Sequence, residues 1–417
     1  MSVQAGLSNR LAIDGGAAVR TEHFGPWPYL DDEQIEAATA VMRSGRINYW
    51  TGEEGRQFEK EFAEAIDVNY AVAVANGTVA LDLALHAIGV GPGDEVVVPC
   101  RTFIASASSV CMRGATPRFA DVDPQSQNIT ASTIESALTS KTKAIIVVHL
   151  ADWPCDMDPI LELARDRRLK VIEDCAQAQG ATYKGRFVGS LGDVGAFSFC
   201  QDKIVTTGGE GGMVTANSKE LWEKIWSFKD HGKSWDAIYN RQHATIFKWV
   251  HESLGTNWRL TEIQSAMGRV ALRKLPLWVE TRRRNAAVLD KALAQHASLR
   301  VPCPSPDFRH SYYKFYAFLR PEQIQAQWTR DAIARAVQAE GVPCGPGSCS
   351  EVYLEKAFEQ AGHQPADRLP NAKQLGETSL MFLVHPTLGT KDMRDTAQAV
   401  DKVLAVAAKP QQLRRAA

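Results

Sequence analysis

A chain of 417 residues is longer than one simple domain, and its formal net charge of −1 gives it no field that would attract nucleic acid or an anionic membrane. Hydrophobic residues make up 45% and charged residues 23%, as in ordinary globular proteins. No apolar run approaches the roughly 20 residues that span a bilayer. The first residues show no leader sequence, and the eight cysteines lack metal-ligand spacing. These features predict a cytoplasmic protein with reduced thiols and no bound metal.

Three segments follow one another along the chain. Residues 1–45 contain the run Gly25-Pro26-Trp27-Pro28 and a predicted helix at 31–44, and we expect them to pack on a smaller C-terminal domain. Residues 46–275 alternate short apolar strands with amphipathic helices. From residue 276 the composition changes, because a predicted helix at 275–295 leads into three prolines and further helices follow near 329–340 and 391–407. Residues 276–417 are therefore predicted to form a smaller α+β domain.

The middle segment is predicted to be an α/β domain. Its expected strands are continuous apolar runs, which are typical of strands covered by helices on both faces. Their alternation with helices predicts a three-layer α/β/α arrangement around a mainly parallel sheet. The expected strands are 71–75, 95–99, 118–121, 144–149, 171–173, 194–199 and 212–215.

The first expected strand leads into Gly77 and Thr78, just before a predicted helix at 79–88. Free backbone N–H groups and the helix dipole make such a helix start a ready phosphate site. An ordinary helix cap would use the same residues. The motif by itself leaves both readings open.

Two later strands are followed by residues that suit an aromatic, cationic ring. Phe103 follows the strand at 95–99, where it could stack on a ring or simply pack in the core. Asp174 follows the strand at 171–173, at the edge of a parallel sheet where ligands bind. A buried carboxylate there needs a cationic partner, which a bound ligand could supply. Alternatively, Asp174 could have only the structural role of capping the next turn.

The most informative stretch runs from Ser198 through Lys203 to the glycine-rich turn 208–212. A lysine that reacts with a carbonyl needs an apolar pocket or cationic neighbours, so that its neutral amine is available near pH 7. A surface lysine before a turn would give the same local sequence. The glycines are not followed by Lys and Ser/Thr, so no Walker-type phosphate loop is present and a nucleotide hydrolase is excluded.

The order of these motifs resembles that of a fold-type I pyridoxal-phosphate enzyme, and more narrowly the DegT/DnrJ/EryC1/StrS family of sugar aminotransferases. The resemblance covers nearly the whole chain and is most specific at 171–178, 198–212 and 257–264. It implies pyridoxal 5′-phosphate as cofactor and a ping-pong reaction. Glutamate or glutamine would give its amino group to the cofactor, and a keto group of a nucleotide-linked sugar would then accept it.

The resemblance also implies residue roles. Lys203 would bond to the cofactor and move the proton between substrate and cofactor. Asp174 would pair with the ring nitrogen, Gln177 would bond the phenolic oxygen, and Phe103 would stack on the ring. Four residues would hold the phosphate, the last of them from the other subunit of a homodimer with shared active sites: Gly77, Thr78, Ser198 and Asn257.

The sequence departs from many relatives at Cys175, at 200–202 before the lysine, and at Gly208-Gly209 before the glutamate, so the shape of the substrate pocket stays open. Candidate substrate contacts are Trp153, Tyr312, Tyr313 and Lys314. The last three could bind a nucleotide diphosphate, or could form an aromatic strand of the small domain.

The acceptor is open between two classes. A nucleotide-linked keto sugar would supply an amino sugar to a lipopolysaccharide, another surface polysaccharide or a natural product. A keto-cyclitol of the scyllo-inosose type would place the enzyme in aminocyclitol biosynthesis, and the segments 11–20 and 48–52 also fit that branch. A non-catalytic protein with this fold is disfavoured, because Lys203 and Asp174 are both present.

Overall fold

A seven-stranded sheet forms the middle layer of the large domain in the computed structural model, which describes residues 10–244 and 246–410. Each strand predicted for this sheet lies within two residues of an observed strand at either end. The strands are β1 (Tyr70–Val74), β2 (Glu95–Pro99), β3 (Thr116–Ala120), β4 (Thr142–Val148), β5 (Lys170–Asp174), β6 (Thr182–Tyr183), β7 (Arg186–Phe187), β8 (Val194–Ser198), β9 (Gly212–Ala216), β10 (Leu299–Arg300), β11 (Phe308–Arg309), β12 (Phe315–Leu319), β13 (Cys344–Gly345) and β14 (Ser379–Phe382).

The order in the large sheet is β1-β9-β8-β5-β4-β2-β3. Neighbouring strands are parallel except at β9, which runs antiparallel to both β1 and β8. The predicted mainly parallel sheet is therefore confirmed. Because β5 and β8 are parallel neighbours, their C-terminal ends lie side by side at one edge, with Asp174 opposite Ala196.

Alternate residues of one strand enter two separate cores. On β2, Val96 and Val98 pack into one core, whereas Val97 packs into the other. Ile145 and Ile146 of β4 divide in the same way. Both faces of the sheet are thus covered, which explains why the strands read as unbroken apolar runs.

Helices cover both faces of the sheet and continue into the small domain. They are α1 (Asp32–Ser44), α2 (Glu54–Ile66), α3 (Gly77–Ala87), α4 (Ala105–Met112), α5 (Ala131–Ala137), α6 (Met157–Arg167), α7 (Lys219–Lys229), α8 (Trp235–Tyr239), α9 (Glu262–Leu293), α10 (Arg330–Ala339), α11 (Lys356–Gln360), α12 (Pro370–Thr378) and α13 (Thr390–Ala407). None of the helices described is long and apolar enough to cross a membrane.

The small domain is built on an antiparallel sheet of order β10-β12-β14-β13, which shares a third core with α10 and α13. The helix predicted at 275–295 is the second half of α9, which begins at Glu262 and runs for 32 residues. The expected boundary at 275/276 falls inside this helix. Buried Leu272, Leu275 and Val279 hold it against the core on both sides of Pro276, so the composition change does not mark a break.

The N-terminal segment lies against the small domain and α9. The backbone N–H groups of Ala12 and Val19 donate to the Glu340 carboxylate at 2.8 and 3.1 Å, and Arg20 pairs with Asp395 at 2.9 Å. Helix α1 packs along α9. Residues 1–9, on which the expectation of no leader sequence rests, lie outside the described part of the chain.

Candidate active site

A cavity of about 800 Å³ opens at the C-terminal ends of β4, β5 and β8 and is closed on its far side by residues of the small domain. Nine of the predicted site residues line it: Gly77, Thr78, Phe103, Asp174, Gln177, Ser198, Lys203, Tyr313 and Lys314. Trp153, Tyr312 and Asn257 are not among the lining residues. Residues that are distant in sequence thus meet where the sheet topology places a ligand.

Lys203 sits on a tight turn after β8, with its backbone N–H donating to the Cys200 carbonyl at 3.0 Å. Its side chain is 15% exposed. The Nζ atom lies 3.4 Å from the Tyr313 hydroxyl and 3.7 Å from Oδ1 of Asp202. The indole N–H of Trp27 donates to the Lys203 carbonyl at 2.9 Å, so the N-terminal segment supports this turn directly.

Asp174 is buried at the end of β5, with 5% of its surface exposed. One carboxylate oxygen accepts from the Ser106 hydroxyl at 2.7 Å and the other from the backbone N–H of Ala176 at 3.1 Å. Burial raises the pKa of Asp174, and the hydrogen bond from Ser106 opposes that rise. A carboxylate in this position is suited to a cationic partner inside the cavity.

The start of α3 packs closely against the end of β8. A Cβ atom on Gly77 would lie 2.6 Å from the Cβ of Ser198, so only glycine allows this approach. Asn76 caps the helix by accepting from the N–H of Val79 at 3.0 Å. The N–H groups of Gly77 and Thr78 have no acceptor within the helix and are available to an anion.

Gln177 and Phe103 border the cavity from two other loops. The Gln177 side-chain oxygen accepts from the backbone N–H of Ala151 at 2.9 Å, which leaves its amide nitrogen as the donor for a ligand. Phe103 is 66% exposed, which is unusual for a phenylalanine that borders a cavity. A planar ring bound beside it would cover the exposed face.

Trp153 and Tyr312 instead form an aromatic cluster with His310. The Tyr312 ring stacks on His310 at 3.9 Å between centroids, and the Trp153 ring meets His310 edge-on at 6.0 Å. Tyr312 has a φ of 57°, so the backbone turns between it and Tyr313. Asn257 is exposed in the segment before α9 and does not line this chain's own cavity.

A buried group behind Asp174 consists of His149, Glu173 and Cys175, whose candidate ligand atoms lie within 4.8 Å of one another. Glu173 accepts hydrogen bonds from His149 at 3.0 Å and from three backbone N–H groups of the loop at 189–192. Burial would raise the pKa of Glu173, but these hydrogen bonds outweigh it and lower that pKa. These four hydrogen bonds occupy the lone pairs of the Glu173 carboxylate. The group therefore holds the end of β5 in place and has no carboxylate lone pair left to bind a ligand.

Comparison with known proteins identifies the family. Residues 28–401 match the model of the DegT/DnrJ/EryC1/StrS aminotransferase family. This chain belongs to that family. Its enzyme class follows from this membership: it is an aminotransferase that depends on pyridoxal 5′-phosphate.

Three relatives show the range of the similarity. An aminotransferase of known structure from Psychrobacter cryohalolentis is 55% identical, with a TM-score of 0.90 over 92% of this chain and 99% of that chain. GDP-perosamine synthase of Escherichia coli O157:H7 is 43% identical over 356 residues, which are 85% of this chain and 92% of that enzyme. L-glutamine:2-deoxy-scyllo-inosose aminotransferase of Streptoalloteichus tenebrarius is 34% identical over 415 residues, which are 94% of this chain and 97% of that enzyme.

The cavity of this DegT-family member suits the cofactor at three separate points. Glycine and helix N–H groups at Gly77 and Thr78 suit the phosphate, and the buried Asp174 carboxylate suits a protonated ring nitrogen. Lys203 offers an amine in a mostly buried position. The chemistry of the site therefore supports the cofactor contacts predicted for Gly77, Thr78, Asp174 and Lys203, which remain proposals.

Several cavity residues were not assigned from the sequence. Ser106, which bonds Asp174, was visible as a hydroxyl three residues after Phe103, but its direction depends on α4. Tyr316 and Ser348 enter from the small domain, where the Tyr316 hydroxyl accepts from the Ser348 backbone N–H at 2.8 Å. No local pattern indicates this, because the contact joins two segments 32 residues apart.

Gly77→Ala is expected to weaken cofactor binding by at least about tenfold, since the new methyl group must push Ser198 away from the start of α3. Titration of the apoenzyme with pyridoxal 5′-phosphate measures this. Gly91→Ala is the matched control, because a Cβ at Gly91 meets nothing within 4 Å. Equal affinities for both variants would show that Gly77 does not shape the phosphate site.

Proposed function

We propose that this aminotransferase moves an amino group from glutamate or glutamine to the keto group of a nucleotide-linked sugar, and so makes an amino sugar for a surface polysaccharide or a natural product. The observation that carries this proposal is the similarity over nearly the full length of GDP-perosamine synthase. The eight free cysteines support a cytoplasmic location.

The cofactor, when bound, supplies an electron sink that stabilises negative charge on the substrate carbon. We assign the ring nitrogen to Asp174, whose carboxylate keeps it protonated, and the phenolic oxygen to the free amide nitrogen of Gln177. Lys203 Nζ holds and returns the proton at the substrate carbon. Its turn places that amine at the floor of the cavity, between Tyr313 and Asp202.

The acceptor class is tested in the second half of the reaction. The holoenzyme is first given its amino group by glutamate or glutamine and is then titrated separately with 3-keto and 4-keto nucleotide sugars and with a keto-inositol. We expect the cofactor absorbance to return to its starting spectrum with one nucleotide sugar. Return with the keto-inositol alone would favour the cyclitol reading, which the similarity to the Streptoalloteichus enzyme supports.

The proposed homodimer shares its sites through Asn257. This residue lies on an exposed segment with unusually exposed apolar neighbours, including Ile246 at 105%, Trp249 at 72% and Leu254 at 93% of their full surface. A second copy of the chain would cover them.

Mixing inactive Lys203→Ala subunits with inactive Asn257→Ala subunits is expected to restore activity, because half of the sites in each hybrid dimer would carry neither change. Turnover per site in the mixture measures this. Activity that stays at the level of the separate variants after subunit exchange would contradict shared sites.

A further inference from the structure

The cavity holds a second ammonium group besides that of Lys203. Lys314, at the start of β12, lines the cavity, and its Nζ lies 4.7 Å from the centre of the Tyr313 ring. Lys203 Nζ lies 4.9 Å from the centre of the same ring. The two nitrogens are therefore no more than about 10 Å apart. Within residues 10–244 and 246–410, no carboxylate oxygen lies within 4.0 Å of Lys314 Nζ.

Two of the three charged groups that act on Lys314 are positive. Of the charged groups that act on it, Asp202 is negative, whereas Arg282 and Lys203 are positive. Asp202 is already engaged, because it accepts a hydrogen bond from the Tyr313 hydroxyl and lies 3.7 Å from Lys203 Nζ. His385 also feels this field, since burial and the positive charges of Arg282 and Lys314 lower its pKa to about 3. A partly buried ammonium group with no carboxylate oxygen within 4.0 Å among the described residues is suited to an anionic ligand.

We propose that Lys314 binds the α-carboxylate of the amino-acid donor. This inference rests on the proposed function and names the group that the donor presents to the site. An α-carboxylate is attached directly to the carbon that reacts beside Lys203, so it must lie within a few ångströms of that amine. A nucleotide diphosphate is separated from the reacting carbon by a sugar ring, whereas the Nζ atoms of Lys203 and Lys314 both lie within 5 Å of the centre of one tyrosine ring.

A binding role in the first half-reaction follows. Lys314 holds the donor in the cavity beside Lys203 without taking part in the breaking of its bonds, so its loss weakens donor binding and not the chemical step. The acceptor then occupies the same cavity without needing this contact. Donor affinity should therefore depend on Lys314 far more than acceptor affinity does.

The test compares Lys314→Met with Lys314→Arg in the holoenzyme. Stopped-flow absorbance of the donor half-reaction gives the apparent Kd and the limiting rate for glutamate, glutamine and alanine. We expect Lys314→Met to raise the apparent Kd of all three donors at least about 30-fold with little change in the limiting rate, since a charge-assisted hydrogen bond is lost. Lys314→Arg should recover most of the affinity. Lys356→Met, at an exposed position, is the control for the lost charge.

A second readout does not depend on turnover. Glutarate and a nucleoside diphosphate are added separately, and the shift in thermal unfolding of the holoenzyme is measured for each. Lys314→Met should lose the glutarate shift and keep the nucleoside diphosphate shift. The opposite pattern would overturn the proposal, as would a loss confined to glutamate, which would show that Lys314 binds the side-chain carboxylate. The donor half-reaction needs no acceptor. The test of Lys314 therefore remains valid even if the proposed acceptor, a nucleotide-linked sugar, is wrong.

The pH dependence gives a further check. Burial lowers the pKa of Lys314 to about 8, with repulsion from Arg282 and Lys203 adding to the effect and Asp202 opposing it. The protonated form binds the carboxylate, so donor affinity should be constant well below that pH and fall as pH rises above it. Lys314→Arg should abolish the fall, because a guanidinium stays charged. An unchanged profile in that variant would contradict the assignment.

Discussion

Lys203→Ala is expected to lower the rate of amino transfer by at least about 10⁴-fold while leaving the fold in place. The side chain makes only long contacts, 3.4 Å to Tyr313 and 3.7 Å to Asp202, so little stability depends on it. Its loss removes the one amine that the turn after β8 aims at the cavity. Single-turnover absorbance with glutamate measures the rate, and circular dichroism with a thermal melt measures the fold.

Lys203→Arg separates chemistry from charge. Arginine keeps the positive charge but does not give up its proton near neutral pH, so it cannot move a proton at the substrate carbon. We expect it to be as inactive as Lys203→Ala. Small external amines should partly restore the alanine variant and not the arginine variant, because only the former leaves room. Transamination that persists in either variant without added amine would show that Lys203 is not the catalytic lysine.

Asp174→Asn is expected to lower activity by at least about 10³-fold with a change in Tm within about 3 °C. An amide does not hold a ring nitrogen in its protonated form, so the electron sink is weakened. The fold should tolerate the change because burial raises the pKa of Asp174, which means that its charge costs stability. Both contacts can persist, because the amide oxygen can accept from the Ala176 N–H while the amide NH2 group donates to the Ser106 hydroxyl, which in turn can donate to Thr102.

The neighbouring Glu173→Gln serves as the matched control, because the two acids are adjacent on β5 and have different partners. The NH2 group of a glutamine at 173 would face either the backbone N–H groups of Leu191 and Gly192 or that of Gly189, so donors would oppose each other in both orientations. We expect it to reduce the free energy of unfolding by about 2–4 kcal/mol while the folded fraction keeps most of its activity. If Asp174→Asn instead loses Tm and keeps activity, its role is structural.

In the small domain, the local sequence does not predict which side chains enter the cavity. Tyr312, Tyr313 and Lys314 were grouped as one candidate patch, but only the last two line the cavity. The positive φ of Tyr312 sends its ring onto His310 instead. A backbone rotation of this kind in a non-glycine residue has no signature in the sequence, because it is imposed by the packing around it. Helix α9 continues through Pro276 because buried Leu272, Leu275 and Val279 hold it against the core on both sides of the proline, a contact that the local sequence does not reveal.

The sequence by itself predicted the large α/β domain, the order of its motifs along the chain and the residues that follow β1, β5 and β8. Gly77, Asp174 and Lys203 each lie next to a strong local pattern, an apolar strand followed by a turn or a helix start, and parallel strands bring such ends to one edge. The tertiary structure alone decided what faces them: the hydroxyl of Ser106, the indole of Trp27 and the ammonium group of Lys314. Those contacts join segments far apart in the chain, so their geometry is set by the packing of two domains and not by any local pattern.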